Sequence, residues 1–123
     1  MKYYEIELNG RTVKFRLTSS DCITIENQSK KSISEFLGEL SMTTVITILR
    51  YMVRSSDHNF DMTDASNLYD ELIDAGYTLE TIVSDIIMEA LVVSGFMKKD
   101  DLKDVKEVKS KIKKEVVEDL MKK

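Results

Sequence analysis

Residues 3–17 read YYEIELNGRTVKFRL, and this stretch decides how the chain begins. Two alternating segments, 3–8 and 11–17, flank Asn9-Gly10. Asn-Gly between alternating runs is a strong hairpin signal, because a type I′ turn needs positive φ at both central residues. The implied register pairs Leu8 with Arg11, Ile6 with Val13 and Tyr4 with Phe15 on one face. It pairs Glu7 with Thr12, Glu5 with Lys14 and Tyr3 with Arg16 on the other. The first face is mostly apolar and the second polar. A slip of one residue would destroy that separation. A lone hairpin is marginal in water, so the apolar face is expected to pack on helices.

Those helices are legible from Thr18 onward. Thr18-Ser-Ser-Asp21 offers cap residues and an early acid, and predicts a short helix over about 19–28. Ser32-Ile-Ser-Glu35 fits a capping box and predicts a brief helix near 33–40, with Gly38 as a break inside it. Residues 42–54 place Met42, Val45, Ile46, Leu49, Met52 and Val53 at steps of three and four, with Ile48 widening the stripe. Residues 55–62 read as a loop, and Thr63 as the cap of the next helix, with Asp64 in its first turn. That helix carries Ala65, Leu68, Tyr69, Leu72 and Ile73 on one side, and Gly76 is placed to end it. Thr78 caps another helix, whose stripe is Leu79, Ile82, Val83, Ile86, Ile87, Ala90 and Leu91. Gly95 stops it, and Phe96 is placed to fold back in a Schellman motif.

Residues 98–123 differ in character. Leu102, Val105, Val108, Ile112, Val116 and Leu120 recur at three or four among ten lysines. This predicts a long helix with a narrow apolar seam, able to dock on the body, pair with another copy or order on a partner. The fold class is therefore mainly α (α+β). An N-terminal β-hairpin packs on a small helical bundle, residues 1–97, and a lysine-rich amphipathic helix, residues 98–123, comes after it. The Lys98-Lys99-Asp100-Asp101 run marks the boundary.

Composition narrows the function. The chain has 123 residues, which is one domain by length. It contains no proline, against an average usage of about 5%, and this favours helices. A single cysteine excludes an internal disulfide. No run reaches about 18 apolar residues, so no membrane span is expected, and the alternating start reads as a mature cytoplasmic chain. The net charge is −4. Residues 1–97 hold eight basic and fifteen acidic residues, while 98–123 hold ten basic and seven acidic. The body lacks the concentrated basic face that nucleic acid requires, and acids interleave the lysines of the tail.

Chemistry-bearing groups are sparse. His58 lies in the polar loop and Cys22 in a different element, so a Cys–His nucleophile needs tertiary folding to join them. Asp57, Asp61 and Asp64 near His58 lack the order of a calcium loop. No glycine-rich phosphate loop occurs. Asp70/Asp74 and Asp85/Glu89 sit one helical turn apart, a spacing common on solvated faces. No catalytic, cofactor-binding or metal residue is expected. The methionines, including Met42, Met52, Met88 and Met97, suit core filling or an adaptable binding surface. The sequence leaves open which of Met42, Met52, Tyr69 and Tyr77 stay exposed.

Two stretches, LYDELIDAGYTLE (68–80) and IIMEALVVSGF (86–96), together with RLTSSDCITIENQSKKSISEFL, carry a resemblance. Over residues 1–97 the chain resembles the tail assembly chaperones of long-tailed bacteriophages of Gram-positive hosts. The resemblance implies a non-enzymatic, mainly helical protein of the host cytoplasm. Such a protein coats the tape-measure protein, keeps it soluble until the tail tube polymerises, and is absent from the mature virion. It also implies contact with the tail tube protein, a longer frameshifted form of the chain, and self-association. The partner-binding residues expected here are Leu102, Val105, Val108, Ile112, Val116 and Leu120, with apolar body residues left uncovered by the hairpin. The alternative is a small cytoplasmic helical adaptor that dimerises through the 98–123 helix. An enzyme is disfavoured by the missing constellation.

Overall fold

A computed structural model describes residues 2–39 and 41–98. The expected tail helix, with Leu102, Val105, Val108, Ile112, Val116 and Leu120, lies outside the described residues.

Strands β1 (Tyr4–Leu8) and β2 (Arg11–Phe15) form an antiparallel hairpin. The register is the expected one from Tyr4↔Phe15 through Glu5↔Lys14, Ile6↔Val13 and Glu7↔Thr12 to Leu8↔Arg11. Asn9 (φ 49°) and Gly10 (φ 80°) both take the positive φ that the turn demands. Leu8, Val13 and Phe15 are buried, while Tyr4 and Ile6 pack half-buried against the same core. Glu5, Glu7, Thr12 and Lys14 face solvent. The Glu5–Lys14 pair spans 3.9 Å between exposed side chains, a separation that contributes little.

Short helical elements build the rest. Helix α1 (Ser19–Ser29) starts at Thr18, which forms a reciprocal capping box with Asp21. Helix α2 (Ile33–Gly38) starts at Ser32. Here the box is half-formed: Ser32 Oγ accepts the Glu35 N–H, but the Glu35 carboxylate takes the Ser32 hydroxyl instead of a backbone amide. The carboxylate of Glu26, reaching over from α1, accepts the free Ile33 N–H at 2.8 Å. Gly38 is the last residue of α2, so it ends this helix instead of interrupting a longer one.

Helix α3 (Met42–Arg54) runs as expected and supplies the centre of the core. Val45, Ile48, Leu49, Tyr51, Met52 and Val53 are all buried. Met42 does not join them: it sits in the first turn and is 46% exposed. Helix α4 (Met62–Asp74) begins slightly earlier than the sequence suggested. The cap is Asp61 and not Thr63. Asp61 accepts the Asp64 N–H at 2.8 Å, and Asp64 accepts the Asp61 N–H at 3.1 Å. An acid three residues on makes that box reciprocal, whereas Thr63 has Ser66 at the same offset. Ala65, Leu68 and Leu72 of α4 are buried and Tyr69 half-buried, but Ile73 is exposed.

Gly76 ends α4 as expected. Its φ of 106° closes a Schellman motif, with Gly76 N–H on Ile73 C=O and Tyr77 N–H on Leu72 C=O. Thr78 then caps a helix that runs in three consecutive pieces. Helix α5 (Leu79–Ile82) leads into a π turn (Val83–Ile87), and α6 (Met88–Val93) continues from it. In the π turn the Met88 N–H reaches back five residues to Val83 C=O. A second Schellman motif closes α6, with Gly95 N–H on Val92 C=O and Phe96 N–H on Leu91 C=O. Phe96 makes the expected backbone bond, yet its ring is 44% exposed.

Two hydrogen bonds from the backbone that follows β2 dock the hairpin on α3 and on the end of α6. The Arg16 N–H donates to Met52 C=O of α3 at 3.1 Å. The Leu17 N–H donates to Ser94 Oγ at 3.0 Å, and that hydroxyl donates to Ala90 C=O of α6 at 2.7 Å. Phe15 and Leu17 are thereby seated in the core with essentially no exposure. Replacing Phe15 with Ala leaves a void beneath both docking bonds. We predict a loss of about 3–5 kcal/mol, read from the urea unfolding midpoint.

Candidate partner-binding surface

The groups with chemical potential are dispersed. Cys22 lies buried on α1, and His58 is exposed in the α3–α4 loop. Among the described residues no cluster of three or more His, Cys, Asp or Glu side chains could hold a metal ion. The loop acids have local work to do. Asp61 and Asp64 cap one another's amides, and Asp57 accepts the Asn59 N–H at 3.4 Å. Asp70 and Asp74 lie along α4, while Asp85 is exposed in the π turn and Glu89 is half-buried on α6. Among the described residues no helix is long and apolar enough to cross a membrane.

The strongest polar contact joins the hairpin turn to α4. Arg11 grips Glu71 with both terminal guanidinium nitrogens, Nη1 donating to Oε2 and Nη2 to Oε1 at 2.7 Å, and Asn9 Nδ2 adds a third bond at 2.7 Å. A bidentate guanidinium–carboxylate fork fixes orientation as well as distance. The bonds from Arg11, then Asn9, hold the Glu71 carboxyl below its ordinary value of 4.5, and the same fork raises the already high Arg11 value. A carboxyl held below its unfolded value contributes stability that is present above pH 4.5 and is lost as pH falls through the folded value. We predict that Glu71→Gln flattens the acid limb of the stability–pH profile, and that variant and parent converge at the acid end. Thermal unfolding from about pH 2 to about pH 7 checks it.

The Cys22 thiol is pushed up, first by burial and then by the neighbouring charges of Asp21 and Glu26. A buried, protonated thiol is inert. At about pH 8 the folded chain should react with an aromatic disulfide reagent at least ~10-fold more slowly than the urea-unfolded chain, by absorbance.

One surface feature differs from the rest. A small crevice of about 20 Å³, walled mostly by buried side chains, lies where α2, α3 and the α5–α6 helix meet. It is lined by Leu37, Thr44, Val45, Ile48, Val83, Ile87, Met88 and Leu91. Thr44 is the single residue of that lining with a polar side chain, and its hydroxyl already pairs with Ser41 Oγ at 3.0 Å. Both ends of the π turn, Val83 and Ile87, face this crevice. π turns inside helices cluster at functional places in proteins. Met88 at the rim is half-buried, and a thioether adapts to irregular partners. Met42, one helical turn before Val45, remains exposed, whereas Met52 is sealed in the core and Tyr69 and Tyr77 are half-buried. Ile23, Met62, Ile73 and Phe96 add exposed apolar surface elsewhere.

A wider depression between β2 and the α3–α4 loop is lined partly by Arg11, Lys14, Ser56, Asp57, Phe60 and Leu68. Its walls are mixed in polarity.

The sequence reading found the stripe residues Val45, Ile48, Val83, Ile87 and Leu91 as core, and missed that they also wall a crevice. Leu37 of α2 supplies the third wall, and no periodic signal marks so short a helix. Compared with known proteins, the chain matches no family model, no curated protein and no solved structure.

Proposed function

We propose that this protein is a tail assembly chaperone of long-tailed bacteriophages of Gram-positive hosts. It binds the tape-measure protein in the host cytoplasm and keeps it soluble while the tail tube assembles, then leaves before the virion is complete. It catalyses no reaction and uses no cofactor. The tail tube protein, a longer frameshifted form and further copies of the chain are its secondary partners.

The observation that carries this reading is the apolar crevice between α2, α3 and the π turn. Its walls offer no charged group, and at about 20 Å³ it takes no more than the tip of one apolar side chain, with half-buried Leu37 and Met88 and exposed Met42 supplying the apolar surface around it. A tape measure is a long helix with exposed apolar stripes, which aggregate unless covered. A holder of such a client needs shallow, repeated helix-in-groove contacts that release easily, and avidity along the client compensates for weak single contacts. The acidic body, with fifteen acids against eight bases over residues 1–97, suits a basic client segment. The stretches 68–80 and 86–96, on which the resemblance rests, supply much of α4, α5, the π turn and α6, including the crevice residues Ile87, Met88 and Leu91.

Co-expression tests the reading. A tape-measure protein from the same phage should move from the insoluble to the soluble fraction by several-fold and co-purify with the tagged chain. Met88→Glu, which places a charge at the crevice rim, should lower recovery of the client while the far-UV spectrum of the chaperone stays unchanged. A client as insoluble as before, with nothing recovered in the pull-down, refutes the proposal.

A further inference from the structure

The outer edge of β2 is open, and it faces a groove. In a hairpin closed by a two-residue turn, the pairs Leu8↔Arg11, Ile6↔Val13 and Tyr4↔Phe15 exchange backbone bonds. The residues between them turn their N–H and C=O groups outward. On β2 those residues are Thr12 and Lys14. Arg16, the next in that phase, shows the direction, since its N–H donates to Met52 C=O of α3. Helix α3 then ends at Arg54. Among the described residues no protein group takes up the outward backbone of Thr12 or Lys14.

That edge looks into the open groove of about 380 Å³ between β2 and the α3–α4 loop. Every residue from Arg11 to Lys14 lines it. Successive strand side chains leave on opposite faces, so a hollow touching four in a row lies along the backbone edge. Val13, Val53 and Leu68 give it a buried apolar lining, and half-buried Phe60 adds a ring. A second hollow of about 290 Å³ continues from Arg11 along α4, where Asp57 and Asp64 line it.

A helix cannot use such an edge, because its own backbone groups are already bonded to one another. An extended chain can. At about 3.4 Å per residue, Arg11 to Lys14 offers about 10 Å of edge, enough for a strand of three or four residues. Every second side chain of that strand meets the apolar lining, and the others stay in water. Charge selects among such strands. The groove's two cations are engaged, Arg11 by Glu71, and Lys14 by Glu5 at 3.9 Å and by the Tyr3 ring at 5.8 Å. Its acids have capacity left. Exposed Asp57 accepts one long bond, from the Asn59 N–H at 3.4 Å, and exposed Asp64 uses one oxygen on the Asp61 amide. A second copy would offer β1 with Glu5 and Glu7, which has the wrong sign.

We infer that the open β2 edge at Thr12 and Lys14, with the groove beside it, docks an extended segment of a partner polypeptide as a third strand. Alternate apolar side chains of that segment fill the groove, and a basic residue at its end, past Arg11, meets Asp57 and Asp64. The inference does not rest on the tape-measure reading, which concerns a helical client at a different place.

The test titrates the ¹⁵N-labelled full chain with a capped peptide, Lys-Thr-Val-Thr-Val-Thr-Lys. By about 1 mM it should give saturating amide shifts at Thr12 and Lys14, extending to Val53, Phe60 and Leu68. N-methylation of the three peptide threonines, which removes the amides that face β2, should abolish them. Glutamate in place of both peptide lysines, or Asp57→Lys in the protein, should weaken binding at least fivefold. Lys14→Pro removes an outward amide without touching a ladder bond and should weaken it as much. No response at Thr12 and Lys14 overturns the inference. Equal binding of the N-methylated peptide overturns it too, since side chains alone would then be read. Shifts centred on Glu5 and Glu7 overturn it and assign the peptide to the β1 edge. Binding indifferent to Asp57→Lys overturns the basic end. A chain that is dimeric without peptide, with the Thr12 and Lys14 amides already protected from exchange, overturns the inference and gives the edge to a second copy.

Discussion

The whole structure turns on the burial of one face of a two-stranded hairpin. Two strands alone cannot hold themselves in water. Here Leu8, Val13, Phe15 and Leu17 enter a core whose other half is α3, α4 and the α5–α6 helix. The dependence is mutual, because α1 and α2 are short and α2 buries no residue fully. Remove the hairpin face, and α3 and α6, which meet β2 and β1, would lose part of their apolar cover. The Arg16–Met52 and Leu17–Ser94 bonds fix the angle at which the face is presented. The Arg11–Glu71 fork then pins the turn end to α4, on the outside, where it sets position more than it adds stability.

Much of this was legible because its determinants are local. The hairpin register follows from turn chemistry and alternation within fifteen residues. The two Schellman closures at Gly76 and Gly95 follow from glycine placed after a periodic stripe. The start of α4 is misplaced from sequence: Thr63 reads as its cap, whereas the reciprocal pair Asp61/Asp64 sets it two residues earlier. Met42 and Ile73 fell on the predicted stripes and lie exposed, because periodicity says which face an element turns inward and not how far its neighbours extend along it. The crevice was illegible. It exists only where three elements separated in sequence converge, and one wall is a six-residue helix with no stripe to read.

The π turn lies between these cases. The apolar pairs Ile82-Val83, Ile86-Ile87 and Ala90-Leu91 recur every four residues. A regular α-helix repeats every ~3.6, so each step of four rotates the stripe onward by about 40°. One wider turn takes up the surplus and returns the stripe to the same side. All six of these residues are buried. The wider turn also accounts for the position of Val83 and Ile87, which serve the core and the crevice wall together.

The Ser94 hydroxyl has a further meaning for biogenesis. It ties Leu17, at the exit of the hairpin, to the close of α6, across 77 positions in the chain. The hairpin leaves the ribosome before α6; α3 begins to cover its apolar side, and the cover is completed only by the last turn of α6. At roughly 5–20 residues per second, that interval lasts about 4–15 seconds. The nascent chain therefore passes through a period in which part of the hairpin face is open, and that period ends when Leu17 and Ser94 meet.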